Sequence, residues 1–223
     1  MSLYKDLKTE LAAYTEYLRQ ELPPRLFALI EAENQKMVAS GLAERALAQG
    51  QHIPNFQLPD ATGKMVKSIE LLARGPLVIV FYRGHWCPYC NLQLRALQEH
   101  LGDIKARNAT LVAISPQTPD QSLTTSEKHR LEFPVLSDMG NHVARQFNLA
   151  YTLSDSIKPV YDAAGVDLKV HNGDDSKELP FAATYVVSKN GAIVGAHRDG
   201  DIRVRLTPET ILEWLDSRIK EDF

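Results

Sequence analysis

No stretch of the sequence approaches the ~18 consecutive apolar residues of a membrane-spanning helix. The opening Met1-Ser2-Leu3-Tyr4-Lys5-Asp6-Leu7 carries charges where a secretory leader has its apolar core. These absences predict a cytoplasmic chain with no membrane partner. An excess of one charge sign is missing too: 25 lysines and arginines face 28 aspartates and glutamates, a net charge of −3, with no basic run to track a phosphate backbone. Nucleic acid is not an expected partner. Cysteine is nearly absent, with 2 residues in 223. Two thiols fall short of the four ligands an iron–sulfur cluster usually takes, and none of the histidines completes a zinc-finger spacing with them. No metal or cofactor is called for.

Those two cysteines are placed where chemistry is expected. Cys87 and Cys90 lie in Phe81-Tyr82-Arg83-Gly84-His85-Trp86-Cys87-Pro88-Tyr89-Cys90, directly after the most hydrophobic stretch of the chain. Leu77 to Tyr82 reads as a buried strand and Arg83 to Trp86 as a turn. Cys87 to about Leu101 reads as a helix with Leu92, Leu94, Leu97 and Leu101 at apolar positions. Pro88 suits the first helical position, which puts Cys87 at the N-cap among free backbone donors. The helix terminus lowers a thiol pKa by about one unit. From ~8.5 that leaves Cys87 mostly protonated at neutral pH, so Arg83, His85 and the Cys90 thiol are the candidate helpers. Cys90, one turn on, is positioned to resolve a mixed disulfide or sulfenic acid at Cys87. A structural bridge would close too short a loop to stabilise much, and the cytosol would keep it reduced. Two buried, inert thiols are the plainer alternative.

The remaining chain organises around this unit. Leu3, Leu7, Leu11, Tyr14 and Leu18 recur at helical spacing, Leu22-Pro23-Pro24 breaks the helix, and Leu26, Leu29, Ile30 and Met37 mark a second. Residues 1–49 read as a helical N-terminal extension, packed on the rest of the monomer or serving as a dimer arm, with a single domain over 50–223. Asp60-Ala61-Thr62-Gly63 and Lys189-Asn190-Gly191 each close a predicted hairpin. Thr110 to Ile114 and Phe133 to Leu136 read as strands, Asn141 to Phe147 as a helix, and Thr118-Pro119-Asp120-Gln121 as the capping box of another. Leu149 to Leu179 reads as irregular and polar. A last helix opens at Thr207-Pro208-Glu209 and runs through Leu212, Trp214 and Leu215. This order predicts an α/β fold, a mixed sheet flanked by helices.

Five ordered segments carry a resemblance over nearly the whole chain. They are the Phe81–Cys90 segment, Ala113-Ile114-Ser115-Pro116-Gln117-Thr118, Pro134-Val135-Leu136-Ser137-Asp138, Ala183-Thr184-Tyr185-Val186-Val187 and Arg205-Leu206-Thr207-Pro208-Glu209. With these the chain resembles the thioredoxin superfamily, and more closely the peroxiredoxin-like branch of the alkyl hydroperoxide reductase/thiol-specific antioxidant family. The resemblance implies a thioredoxin-like fold, a peroxidatic Cys87, a resolving Cys90, and thioredoxin or glutathione as reductant. It also implies a threonine and a distant arginine that hold the peroxide. Here Gly84 stands three residues before Cys87 and Val80 seven before, and Ala182 occupies the position of both the distant arginine and the superfamily's cis-proline, so that either Leu179-Pro180 does the proline's job with a shifted loop or the chain has lost it. A trans peptide is expected before Ala182. Arg83 is the expected substitute cation. The candidate substrate-binding set is Arg83, Gly84, His85, Trp86, Ala182 and Thr184.

The expectation is thus a thiol peroxidase acting on hydrogen peroxide or small organic hydroperoxides. A thioredoxin-like protein-disulfide oxidoreductase would use the same cysteines, and a redox-inert scaffold built on the N-terminal helices would need neither.

Overall fold

The computed structural model describes residues 6–219; Leu3, counted above in the first helical stripe, lies outside them. Helix α1 (Leu7–Glu21) begins at Asp6, whose carboxylate accepts the Thr9 amide at 3.1 Å, and α2 (Pro24–Ala39) begins on a proline that has no amide to leave unpaired. A single turn, α3 (Leu42–Arg45), precedes the hairpin β1 (Gln57–Pro59) and β2 (Met65–Lys67). Its turn is held by Asp60, which accepts the amides of Thr62 and Lys64. Next come α4 (Ser68–Leu72), β3 (Leu77–Phe81), α5 (Pro88–Glu99), α6 (Leu101–Ala106) and β4 (Thr110–Ser115). Then follow α7 (Pro119–His129), β5 (Val135–Ser137) and α8 (His142–Gln146).

Three local expectations change. Helix α7 starts where foreseen, but the Thr118 side chain makes no capping bond and Gln121 hydrogen-bonds His171 instead. Helix α8 starts one residue late because Asn141 is left-handed, at φ 56°. The region read as irregular is ordered: β6 (Ala150–Thr152) pairs antiparallel with β7 (Glu178–Pro180), and α9 (Lys158–Ala163) and α10 (Leu168–Asn172) lie between them. The chain closes with β8 (Ala183–Val187), β9 (Ile193–Arg198) and α11 (Pro208–Arg218).

Five strands form the central sheet in the order β5-β4-β3-β8-β9. Strand β3 runs parallel to β4 and antiparallel to β8, with Ile79 opposite Val112 on one side and Tyr185 on the other. Its two-residue period divides the core. Val78 and Val80 join Leu94 and Leu97 of α5 on one face, while Leu77, Ile79 and Phe81 join Phe147 and Tyr185 on the other. Strands buried on both faces read as unbroken apolar runs, which is why β3 was the plainest strand in the sequence.

The N-terminal helices are built into these clusters. Leu7 and Leu11 of α1 belong to the α5 side and Met37 of α2 to the other. Tyr89 of α5 fixes α1 directly, through a 3.0 Å hydroxyl contact with Thr15 and an edge-to-face contact with Tyr14 at 5.1 Å. Among the described residues of the α1 stripe, Leu7 and Leu11 are thus buried within the monomer and Tyr14 and Leu18 partly so. Among the described residues no helix is long and apolar enough to cross a membrane.

Candidate active site

The carboxyl end of a parallel strand next to a change of strand direction is where open α/β sheets place ligands, and β3 ends there. The turn it feeds is pinned at three points. The Cys87 amide donates to the Gly84 carbonyl at 3.0 Å, the His85 amide to Gln117 Oε1 at 2.8 Å, and the Asn91 side chain to the His85 carbonyl at 2.7 Å. Gly84 is needed for two reasons. Its φ is 152°, and a Cβ there would stand 2.4 Å from Trp86 Nε1. Pro88 then starts α5, with the Asn91 amide bonded to the Cys87 carbonyl at 3.1 Å.

The two thiols are free, buried, and 2.7 Å apart sulfur to sulfur. Cys87 is 3% exposed and Cys90 is fully covered. Two guanidinium groups act on them. Arg83 is buried, hydrogen-bonds the Tyr161 hydroxyl, and lies 5.2 Å from the centre of the Trp86 ring. Burial opposes its charge, but the Tyr151 and Tyr161 hydroxyls and the two thiols outweigh this and hold it protonated. Arg205, in the loop before α11, is equally buried, and its Nε and Nη2 have no hydrogen-bond partner among the described residues.

These charges act on the cysteines as a pair. Burial pushes Cys87 well above the ordinary thiol range, as does its bond to Cys90. Burial also opposes ionisation of Cys90, yet the bond to Cys87, the Arg205 charge and the Arg83 amide and charge bring it down to about 5. Taken together, the pair releases its first proton far below the usual thiol value and keeps the second far above it. The low first ionisation therefore belongs to the pair, joined at 2.7 Å, and not to either sulfur alone. No amide of the first turn of α5 caps the Cys87 sulfur, whereas the Arg83 amide does bond the Cys90 sulfur.

Beside Cys87 opens a cavity of about 240 Å³, and Cys90 is not part of its wall. Of the residues expected to bind substrate, Arg83 and Trp86 line it. Gly84 shapes the turn behind them. The other three stand elsewhere. His85 faces Gln117, with Nδ1 2.7 Å from Nε2, and its ring meets that of His171 at 4.8 Å. Burial, His171, Lys128 and His129 push its pKa down to about 4, so it is neutral near pH 7. Ala182 precedes β8 in a trans peptide, since the described residues contain no cis bond. Thr184 accepts a hydrogen bond from Gln93 at 3.2 Å, tying α5 to the sheet. Arg205, Tyr151 and Tyr161 were not foreseen. Arg205 did stand in one of the five segments quoted above, while the two tyrosines fall in the stretch read as polar and irregular.

Comparison with known proteins gives consistent results. A sequence profile of the AhpC/TSA family matches residues 49–196. A protein described as "Peroxiredoxin Q, chloroplastic" from Triticum aestivum is 28% identical over 172 residues, covering 75% of this chain and 79% of that one. Its counterpart from Populus jackii is 31% identical over 145 residues, 65% of this chain and 57% of the relative, so this chain spans little more than half of that protein. Among solved structures, "Peroxidoxin BcpB" from Mycobacterium tuberculosis superposes with a TM-score of 0.61 at 22% identity, over 77% of this chain and 97% of that one. At that identity the likeness is one of fold.

Proposed function

The chain belongs to the AhpC/TSA family of peroxiredoxin-type thiol peroxidases, with their thioredoxin-like α/β fold, and on that premise we propose that Cys87 is its peroxidatic and Cys90 its resolving cysteine. The observation that carries this reading is the access of the pair. Cys87 opens onto the cavity while Cys90 lies behind it at 2.7 Å.

In the first step a Cys87 sulfur electron pair attacks one oxygen of a hydroperoxide. An S–O bond forms and the O–O bond breaks. The leaving oxygen takes a proton and departs as water or an alcohol, and Cys87 is left as sulfenic acid. Cys87 attacks as the thiolate: the singly ionised pair keeps one proton, shared across the short sulfur–sulfur contact, and that proton rests on Cys90 during the attack. Arg83, on the cavity wall, stabilises the charge that grows on the leaving oxygen. Arg205 holds the pair's negative charge from behind. Cys90 then attacks the Cys87 sulfur, the S–O bond breaks, and water leaves with formation of the Cys87–Cys90 disulfide. Thioredoxin or glutathione supplies the two electrons and two protons that restore the thiols.

A protein-disulfide substrate fits this geometry less well. In the reduced form the two cysteines are 3% and 0% exposed and meet the outside through the cavity, which a hydroperoxide enters and a folded partner's disulfide does not. A protein reductant meets only the oxidised pair, and reaches its disulfide after local opening. The experiment is a thioredoxin- and NADPH-coupled peroxide assay run beside insulin reduction on one preparation. Brisk peroxide turnover with slow insulin reduction is expected. Brisk insulin reduction, with peroxide consumed no faster than by a free thiol, overturns the proposal.

A further inference from the structure

The peroxide chemistry itself needs only a thiolate and a cation, so the walls of the cavity beside Cys87 carry information the chemistry does not use. Those walls are overwhelmingly apolar. None of the lining residues belongs to a strand of the central sheet, and much of the lining comes from the N-terminal helices and the α9 region: Leu18 of α1, Leu26 and Ile30 of α2, Val160 of α9 and Val166 beyond it. Such a chamber is hard to explain as packing alone. Apolar side chains that could close on one another instead leave about 240 Å³ between them.

Charge narrows the occupant further. Among the described residues that line the chamber, Arg83 is the one cation and Glu33 the one carboxylate. Arg83 is already engaged beside the thiols, with its Nη2 on the Tyr161 hydroxyl. Glu33 accepts the Ser154 amide and hydroxyl, at 3.2 and 2.5 Å, which fixes an anion in the wall. A ligand carrying its own carboxylate would meet Glu33, itself 3.8 Å from Lys36 Nζ, while the one lining cation, Arg83, is taken up by the thiols and the O–O group. An uncharged apolar body meets no such penalty.

We propose that the N-terminal helices α1 and α2, with α9, form the substrate chamber of this enzyme, and that it selects uncharged hydroperoxides with a bulky aryl or branched-alkyl body over hydrogen peroxide. This rests on the peroxidase reading above and names its substrate class. The O–O group meets Cys87 and Arg83 while the body fills the space lined by Ile30 and Val160. The step is the balanced one already written, with the aryl or alkyl alcohol as the leaving product.

The test compares cumene hydroperoxide with hydrogen peroxide by stopped-flow oxidation of reduced wild type and Ile30→Trp. It adds equilibrium binding of cumyl alcohol, the product, to both proteins. Burying an aryl body should favour cumene hydroperoxide by at least about tenfold in second-order rate constant, and filling the chamber with the indole should cut that ratio by about tenfold. Cumyl alcohol should bind wild type and be lost from the variant. If Ile30→Trp does not fold, Val160→Trp, from the α9 part of the lining, is read in the same way. Fast oxidation by both peroxides, with a ratio near one that the variant leaves unchanged and no alcohol binding, overturns the chamber and leaves the peroxidase standing. Cumyl alcohol binding lost in the variant, with neither peroxide reacting faster than with a free thiol, overturns the peroxidase reading instead, and with it the substrate selection.

Discussion

Replacing Arg83 with methionine removes the one cation that both touches the cavity and acts on the thiols. The side chain is 7% exposed, donates from Nη2 to the Tyr161 hydroxyl, and stacks 5.2 Å from the centre of Trp86. Methionine keeps most of the aliphatic volume, so the loss is mainly electrostatic. A preorganised donor aimed at developing negative charge is worth ~10²–10³ in rate, equivalent to ~2.7–4 kcal/mol of barrier. Stability should suffer less. The half-buried Tyr161 hydroxyl loses a charged partner and Trp86 a cation over its face, together roughly 1–2 kcal/mol, a shift of a few degrees in a chain of this size. Stopped-flow oxidation of Cys87, with thermal unfolding measured in parallel, separates the two effects. Arg83→Met should form the sulfenic acid at least about a hundredfold more slowly while remaining folded. Arg83→Lys should fall between, since it restores the charge without the planar fork. A folded Arg83→Met that reacts within about threefold of wild type removes Arg83 from the mechanism.

Other expectations follow from the same geometry. Because the pair loses its first proton with Cys90 drawn down to about 5, the pH profile of Cys87 oxidation should have its midpoint nearer 5 than the usual ~8.5; Arg205→Met should move that midpoint upward, and an unmoved midpoint would exclude Arg205 from the charge balance. Gly84→Ala combines a strained φ of 152° with a Cβ 2.4 Å from the Trp86 indole, so we expect a loss of roughly 2–3 kcal/mol in denaturant unfolding and a changed Trp86 emission. His85 is depressed from about 6.5 to about 4, so it contributes stability above pH 6.5 that is lost as pH falls through 4. The melting temperature should drop across that window, less steeply in His85→Gln, and a variant with an unchanged slope would show that His85 does not contribute.

How much of this was legible depended on how local its cause was. The strand, turn and helix carrying the cysteines announce themselves because β3 is buried on both faces, Pro88 can only begin a helix, and the cysteine spacing is covalent. The N-terminal helices were equally readable from their apolar period and the Pro23–Pro24 break. The stretch from Leu149 to Leu179 was not, because β6 and β7 are three residues each and find one another across a long insertion; nothing local marks such a pairing. That insertion carries Tyr151 and Tyr161, so two of the groups around Arg83 were invisible with it. Arg205 lies 118 residues beyond Cys87 in sequence, and only the packing of the loop before α11 turns it toward the sulfurs. The joint acidity of the pair could not be read either. It depends on the 2.7 Å sulfur–sulfur contact, the Arg83 amide and the Arg205 charge, and the N-cap rule says where donors are, not where a side chain points.

The division of labour between the two sulfurs is tested most directly by intact mass and peptide mapping after one equivalent of hydroperoxide, on wild type and Cys90→Ser together. The wild type should lose two hydrogens, leave no alkylatable thiol, and yield one Cys87–Cys90-linked peptide, while Cys90→Ser should accumulate a sulfenic acid at Cys87 that overoxidises with excess peroxide. An oxidised wild type that keeps both thiols alkylatable, or a Cys87→Ser protein that forms sulfenic acid at Cys90 at the wild-type rate, would contradict it.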